Sequence, residues 1–139
     1  MPKIENCSWN DFQKGNHRLD PIDAVAIQIV DPGDTPPEPQ EDVFYTRAIF
    51  EFLDAEVPTR FFPEEKLIND EQAKDIAEIL QSAYKENRDV LVHCVVGACR
   101  SGAVVEVAEM IGFDECFRYR LANARVKRKL MEQFDLLPR

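Results

Sequence analysis

The chain has 139 residues, of which 45% are hydrophobic and 31% charged, with a formal net charge of −9. That length suits a single domain spanning residues 1–139 that buries its own core, and the acidity argues against nucleic acid or an anionic membrane as main partner. No apolar run approaches the roughly 18 residues of a membrane span, and Met1-Pro2-Lys3-Ile4-Glu5-Asn6 has no signal-peptide core.

In chain order, Cys7-Ser8-Trp9-Asn10-Asp11-Phe12 reads as a strand end followed by a short helical turn, with Trp9 and Phe12 as core residues. Ala24 to Val30 is nearly all apolar and suits a strand buried on both faces. Asp31-Pro32-Gly33-Asp34 stops it with turn residues, and Pro36, Pro37 and Pro39 keep the next loop extended, at the rim of a site. Val43 to Phe52 predicts the next strand. Pro58, Phe61, Phe62 and Pro63 predict an irregular stretch. A helix then starts at Asn69, with Asn69 as N-cap and Gln72 at the reciprocal capping position. Ala73, Ile76, Ala77, Leu80, Ala83 and Tyr84 line one face of it, and Asn87 can end it. Gly112 is the expected C-cap of a later helix. Asn123 is expected to cap a last one carrying Val126, Leu130 and Phe134. Arg118, Arg120, Arg125, Lys127, Arg128 and Lys129 form a basic cluster, read as a solvated helix face rather than a docking surface. Strands alternating with helices imply an α/β fold: a mostly parallel sheet covered on both faces, with ligands at the carboxyl ends of the strands.

One stretch carries chemistry. Val90-Leu91-Val92 is a run of β-formers ending at His93-Cys94, and Val95-Val96-Gly97-Ala98-Cys99 leads to Arg100-Ser101, where a helical pattern begins. Strand, tight loop and helix N-terminus make a phosphate cradle, because backbone N–H groups that precede or open a helix have no intrahelical acceptor and can turn onto one anion. The amides of Val95, Val96, Gly97, Ala98, Cys99 and Arg100 are the expected phosphate-binding groups. The Arg100 guanidinium adds a planar fork matched to two phosphate oxygens. The same positive field favours a thiolate at the floor of the cradle, which makes Cys94 the expected nucleophile. The four cysteines, Cys7, Cys94, Cys99 and Cys116, show neither a Cys-x-x-Cys pair nor zinc spacing, and His17 and His93 are the only histidines. Neither a metal nor an organic cofactor is expected. A free thiolate fits a reducing, cytoplasmic compartment.

His-Cys-x-x-Gly-x-x-Arg-Ser resembles the signature of the cysteine-dependent protein tyrosine and dual-specificity phosphatases. Asp31-Pro32-Gly33 at a strand end is similar to compact bacterial members, and the likeness covers most of residues 24–110. It implies a tyrosine-phosphatase-like fold and hydrolysis of phosphomonoesters through a phosphocysteine intermediate. It also implies that His93 orders the loop and helps set the thiol pKa, and that Ser101 hydrogen-bonds the sulfur as it leaves. A leaving alkoxide or phenolate needs a proton. Asp54, directly after a strand, is the expected donor, with Glu56, Asp31 and Asp34 as alternatives. Cys99 departs from many such loops and resembles the second cysteine of the low-molecular-weight tyrosine phosphatases. It is either a redox partner of Cys94 or a small packing residue. The loop brings no cation besides Arg100, which disfavours inositol phospholipids and points to a phosphorylated protein or small aryl phosphate. Two other readings stay open: a phosphate-binding pseudophosphatase, and a thiol redox enzyme of the arsenate-reductase type.

Overall fold

The computed structural model describes residues 1–114 and 116–137. Its centre is a four-stranded sheet, parallel throughout, made of β1 (Ile4–Cys7), β2 (Val25–Val30), β3 (Thr46–Glu51) and β4 (Val90–His93) in the order β1-β4-β2-β3. The chain therefore lays β4 last, between two strands already in place. This central position carries the end of β4 to the carboxyl edge of the sheet, where α/β folds bind ligands. Among the described residues, no helix is long and apolar enough to cross a membrane.

The two faces of the sheet are covered unequally. Ile4, Val25, Ile27, Ile29, Val90 and Val92 meet helices α2 (Asp70–Lys85), α3 (Arg100–Met110) and α4 (Ala124–Gln133) in the main core. On the other face, Cys7, Ala26 and Leu91 pack with Phe12 of the short helix α1 (Trp9–Lys14), Leu19 and Phe44. Phe44 stacks on Phe12 at a centroid distance of 5.4 Å. Phe44 thus packs beneath the sheet, and β3 starts at Thr46 rather than at Val43, Tyr45 N donating to Ala24 O at 2.9 Å just before it. Trp9 is half-exposed and presents its edge to His93 rather than filling the core.

Helix α2 begins with the reciprocal cap its sequence predicts. Asn69 Oδ1 accepts from Gln72 N at 2.8 Å, and Gln72 Oε1 accepts from Asn69 N at 3.1 Å. Ala73, Ile76, Ala77, Leu80 and Ala83 are buried, whereas Tyr84 lies at the border and leans on Phe113. Helix α3 is buried on nearly all sides, between the sheet and α4, and the chain leaves it through Gly112 at φ +120°. Two lysines of α4 face carboxylates of the other helices, Lys127 on Glu106 at 2.9 Å and Lys129 on Asp70 at 2.7 Å, while Arg128 faces Glu132 on α4 itself. Arg125 donates to Ile68 O at 3.1 Å. These residues tie α4 to its neighbours, through pairs that solvent screens.

Candidate active site

At the end of β4, Cys94 is 2% exposed, at the floor of the loop 95–99. Its Sγ accepts from Gly97 N at 3.2 Å and hydrogen-bonds Ser101 Oγ at 3.2 Å. Ser101 thus lies beside the sulfur, in the first turn of α3.

The loop faces inward because the protein holds its carbonyls from outside. Val95 O accepts from Trp9 N (3.2 Å), Gly97 O from Asn6 Nδ2 (2.7 Å), Ala98 O from Leu121 N (3.1 Å), and Cys99 O from Asn123 N (3.0 Å). The amides of Val95, Val96, Ala98, Cys99 and Arg100 have no acceptor among the described residues. A set of such N–H groups at a helix N-terminus is an anion cradle. Cys7, beneath the loop, has its thiol pushed up to about 12 by burial and is chemically inert there.

Gly97 is the hinge of the arrangement. It has φ +87°, and a Cβ at that position would lie 2.4 Å from Ser8 N and 2.5 Å from Cys7 C. The loop therefore rests directly on the β1–α1 backbone. Gly97→Ala is expected to lower stability by about 2 kcal/mol or more through strain and clash, and to weaken phosphate binding. Thermal melts and phosphate titration check it, and an unchanged Tm with unchanged affinity would mean that the loop tolerates a side chain there.

Arg100 is buried at the start of α3. Nη1 donates to Asp31 Oδ1 and to Phe52 O, each at 2.7 Å. These two bonds fix the guanidinium plane from one side. Nε, also buried, has no partner among the described residues. A buried charged donor without an acceptor is costly, and an oxyanion on the Nε/Nη2 edge would relieve it.

His93 is fully buried, and its tautomer follows from its neighbours. Gln28 Nε2 donates to His93 Nε2 (3.2 Å) as well as to Pro37 O (3.0 Å). The proton is therefore on Nδ1, which donates to Cys94 O at 3.4 Å. Burial, with Arg100 nearby, lowers the imidazole pKa to about 4 against the Nδ1 bond, so the ring is neutral at pH 7. A neutral ring orders the Cys94 carbonyl without bringing a charge to the thiol. The unfolded chain takes up a proton at about pH 6.5 that the folded ring refuses until about pH 4. His93 contributes nothing to this difference above pH 6.5, and stability is lost as pH falls through the window, approaching about 3 kcal/mol. Urea unfolding at pH 7.5 and 4.5 should show a smaller pH loss in His93→Gln than in wild type. Equal losses would place the effect elsewhere.

The candidate acids separate clearly. Asp54 Oδ1 accepts from Asn123 Nδ2 at 2.8 Å, and its charge acts on the nearby Cys99 thiol. Asp54 thus sits against the phosphate loop. Glu56 accepts from Ala124 N at 3.0 Å and is engaged at the start of α4. Asp31 is the partner of Arg100, and Asp34 lies in an exposed turn. Cys99 is half-buried, within the electrostatic reach of Asp54 and Cys94. Burial, then the Asp54 carboxylate, raise its thiol pKa.

Three residues emerge here that the sequence reading passed over or read only locally. Asn6 holds Gly97, Gln28 holds His93, and Asn123 is more than a cap. Its Oδ1 accepts from Arg125 N and Val126 N, which leaves its Nδ2 for Asp54. Gln28 carried a signal, a lone amide in an otherwise apolar strand.

No protein-family model matches the chain, and no curated protein does. Among solved structures, the chain is similar to a human tyrosine phosphatase-like serine/threonine/tyrosine-interacting protein. The TM-score is 0.63 at 16% identity, covering 98% of this chain and 93% of that chain. The likeness is one of fold: this chain has a tyrosine-phosphatase-like α/β fold.

Proposed function

We propose that the chain is a cysteine-dependent phosphatase that hydrolyses phosphomonoesters of the protein tyrosine or dual-specificity type. The observation that carries this reading is one constellation. A buried thiol lies under amides that, like the buried Nε of the fixed Arg100 guanidinium, have no partner among the described residues. Cys94 Sγ attacks phosphorus and the P–O bond to the leaving group breaks, giving phosphocysteine. Arg100 and the loop amides take up the charge on the equatorial oxygens. Asp54 gives its proton to the leaving oxygen, then receives one from the water that cleaves the S–P bond. Ser101 Oγ, 3.2 Å from Sγ, stabilises the departing sulfur, and His93 with Gln28 keeps the loop ordered. Arg100 is the loop's only cation, so a singly phosphorylated side chain fits better than a polyphosphate. The free thiol suits a cytoplasmic, reducing setting.

The experiment is turnover of a chromogenic aryl phosphate by the full chain across pH. Activity that needs Cys94 supports the reading. Phosphate binding without turnover would leave a binding pseudophosphatase, a reading the neighbour's name as an interacting protein keeps in view. The arsenate-reductase reading needs Cys99 as a second reactive thiolate, and the raised pKa of that thiol weighs against it.

A further inference from the structure

Beside the candidate site runs an extended strip whose side chains alternate. Phe117, Tyr119 and Leu121 are 84%, 77% and 65% exposed, and Val96 on the loop itself is 75% exposed. The alternation has a cause. Arg118 pairs with Glu5 at 2.8 Å and Arg120 with Glu109 at 2.8 Å, so both guanidinium groups are drawn onto the body and the residues between them stand outward. The strip is also fastened to the phosphate loop. Leu121 N donates to Ala98 O at 3.1 Å, and Asn6 Nδ2 bridges Gly97 O and Tyr119 O at 2.7 and 3.1 Å. Tyr119 and Val96 line one groove together with Arg18, and Phe117 borders the adjoining groove past the same arginine.

Single exposed apolar residues are ordinary, but a contiguous row on a fixed backbone marks an interaction surface. We infer that this strip is a substrate-docking surface for an extended phosphorylated polypeptide whose apolar side chains flank the phosphorylated residue. The inference rests on the phosphatase reading above. The groove borders the phosphate loop through Val96, Gly97 and Ala98, which favours an occupant whose phosphoryl group enters the loop from the same edge. The net charge of −9 opposes an anionic bilayer. Arg18 lines both grooves and its guanidinium, with no ion pair among the described residues while its backbone N–H bonds Glu5, complements an acidic side chain further along such a peptide.

The test uses the full chain carrying Cys94→Ser, so that binding is read without turnover. Two fluorescent phosphotyrosine peptides of equal charge are compared, one with Leu and Phe beside the phosphotyrosine and one with Ser. The apolar peptide should bind at least about tenfold tighter. Adding Phe117→Ser, Tyr119→Ser and Leu121→Ser should remove that preference and leave the affinity for inorganic phosphate unchanged. Equal affinity for the two peptides, or a preference that survives the triple substitution, would overturn the inference. Self-association in sedimentation velocity, or vesicle binding, that the triple substitution abolishes would overturn it too, in favour of a second copy or a membrane. Wild type that shows the peptide preference but hydrolyses no aryl phosphate fails the catalytic reading alone. Turnover without the preference fails the docking surface alone.

Discussion

Cys94→Ser should remove aryl phosphate turnover and leave phosphate binding intact. A serine hydroxyl fits the space below the loop and meets the same neighbours, Gly97 N and Ser101 Oγ. It is far less acidic than a thiol, so no anionic nucleophile forms near pH 7. Loss of a covalent nucleophile costs roughly 10⁴–10⁶-fold in kcat in enzymes where it has been removed. The cradle is untouched: its carbonyls remain bound from outside and Arg100 Nη1 remains held by Asp31 and Phe52. Calorimetry with inorganic phosphate should give an affinity close to that of wild type. A variant that keeps activity within tenfold of wild type would rule out Cys94 as the nucleophile.

Asp54→Asn should lower turnover by roughly 10²–10⁴-fold, the usual worth of a positioned acid. Its geometry makes the test clean. The amide oxygen of an asparagine at this position can still accept from Asn123 Nδ2, the bond Asp54 Oδ1 makes at 2.8 Å, so docking is kept and only the proton is lost. The defect should shrink for esters whose leaving group is a weak base, since those depart without protonation. Glu56→Gln serves as the control. Glu56 accepts from Ala124 N, a bond that a glutamine oxygen can also accept, so this variant should spare the chemistry. A crippled Glu56→Gln beside a near-normal Asp54→Asn would transfer the acid role to Glu56.

Much of this site was written in consecutive residues. The run from Val90 to Ser101 contains its own strand, turn and helix start, and the chemistry of Cys94 and Arg100 depends on that local order. The caps at Asn69 and Asn123 were legible for the same reason, because an N-cap and the amides it binds are two or three residues apart. The short row of β-formers before each turn likewise announced the parallel sheet. What the strand order alone decided lies between distant residues. Asp31 and Arg100 are 69 apart in sequence, as are Asp54 and Asn123, and Asn6 and Gly97 are 91 apart. Insertion of β4 between β1 and β2 brings Cys7, His93 and Gln28 side by side. Only then does Gln28 become the group that fixes the His93 tautomer, and Asp31 the carboxylate that holds Arg100. Periodicity and propensity act over a turn or a strand, whereas buried polar partners are chosen by which strand ends share an edge. A buried donor or acceptor left unpaired costs more than most local preferences supply. The tertiary structure therefore settled which amide and which carboxylate meets each charged group.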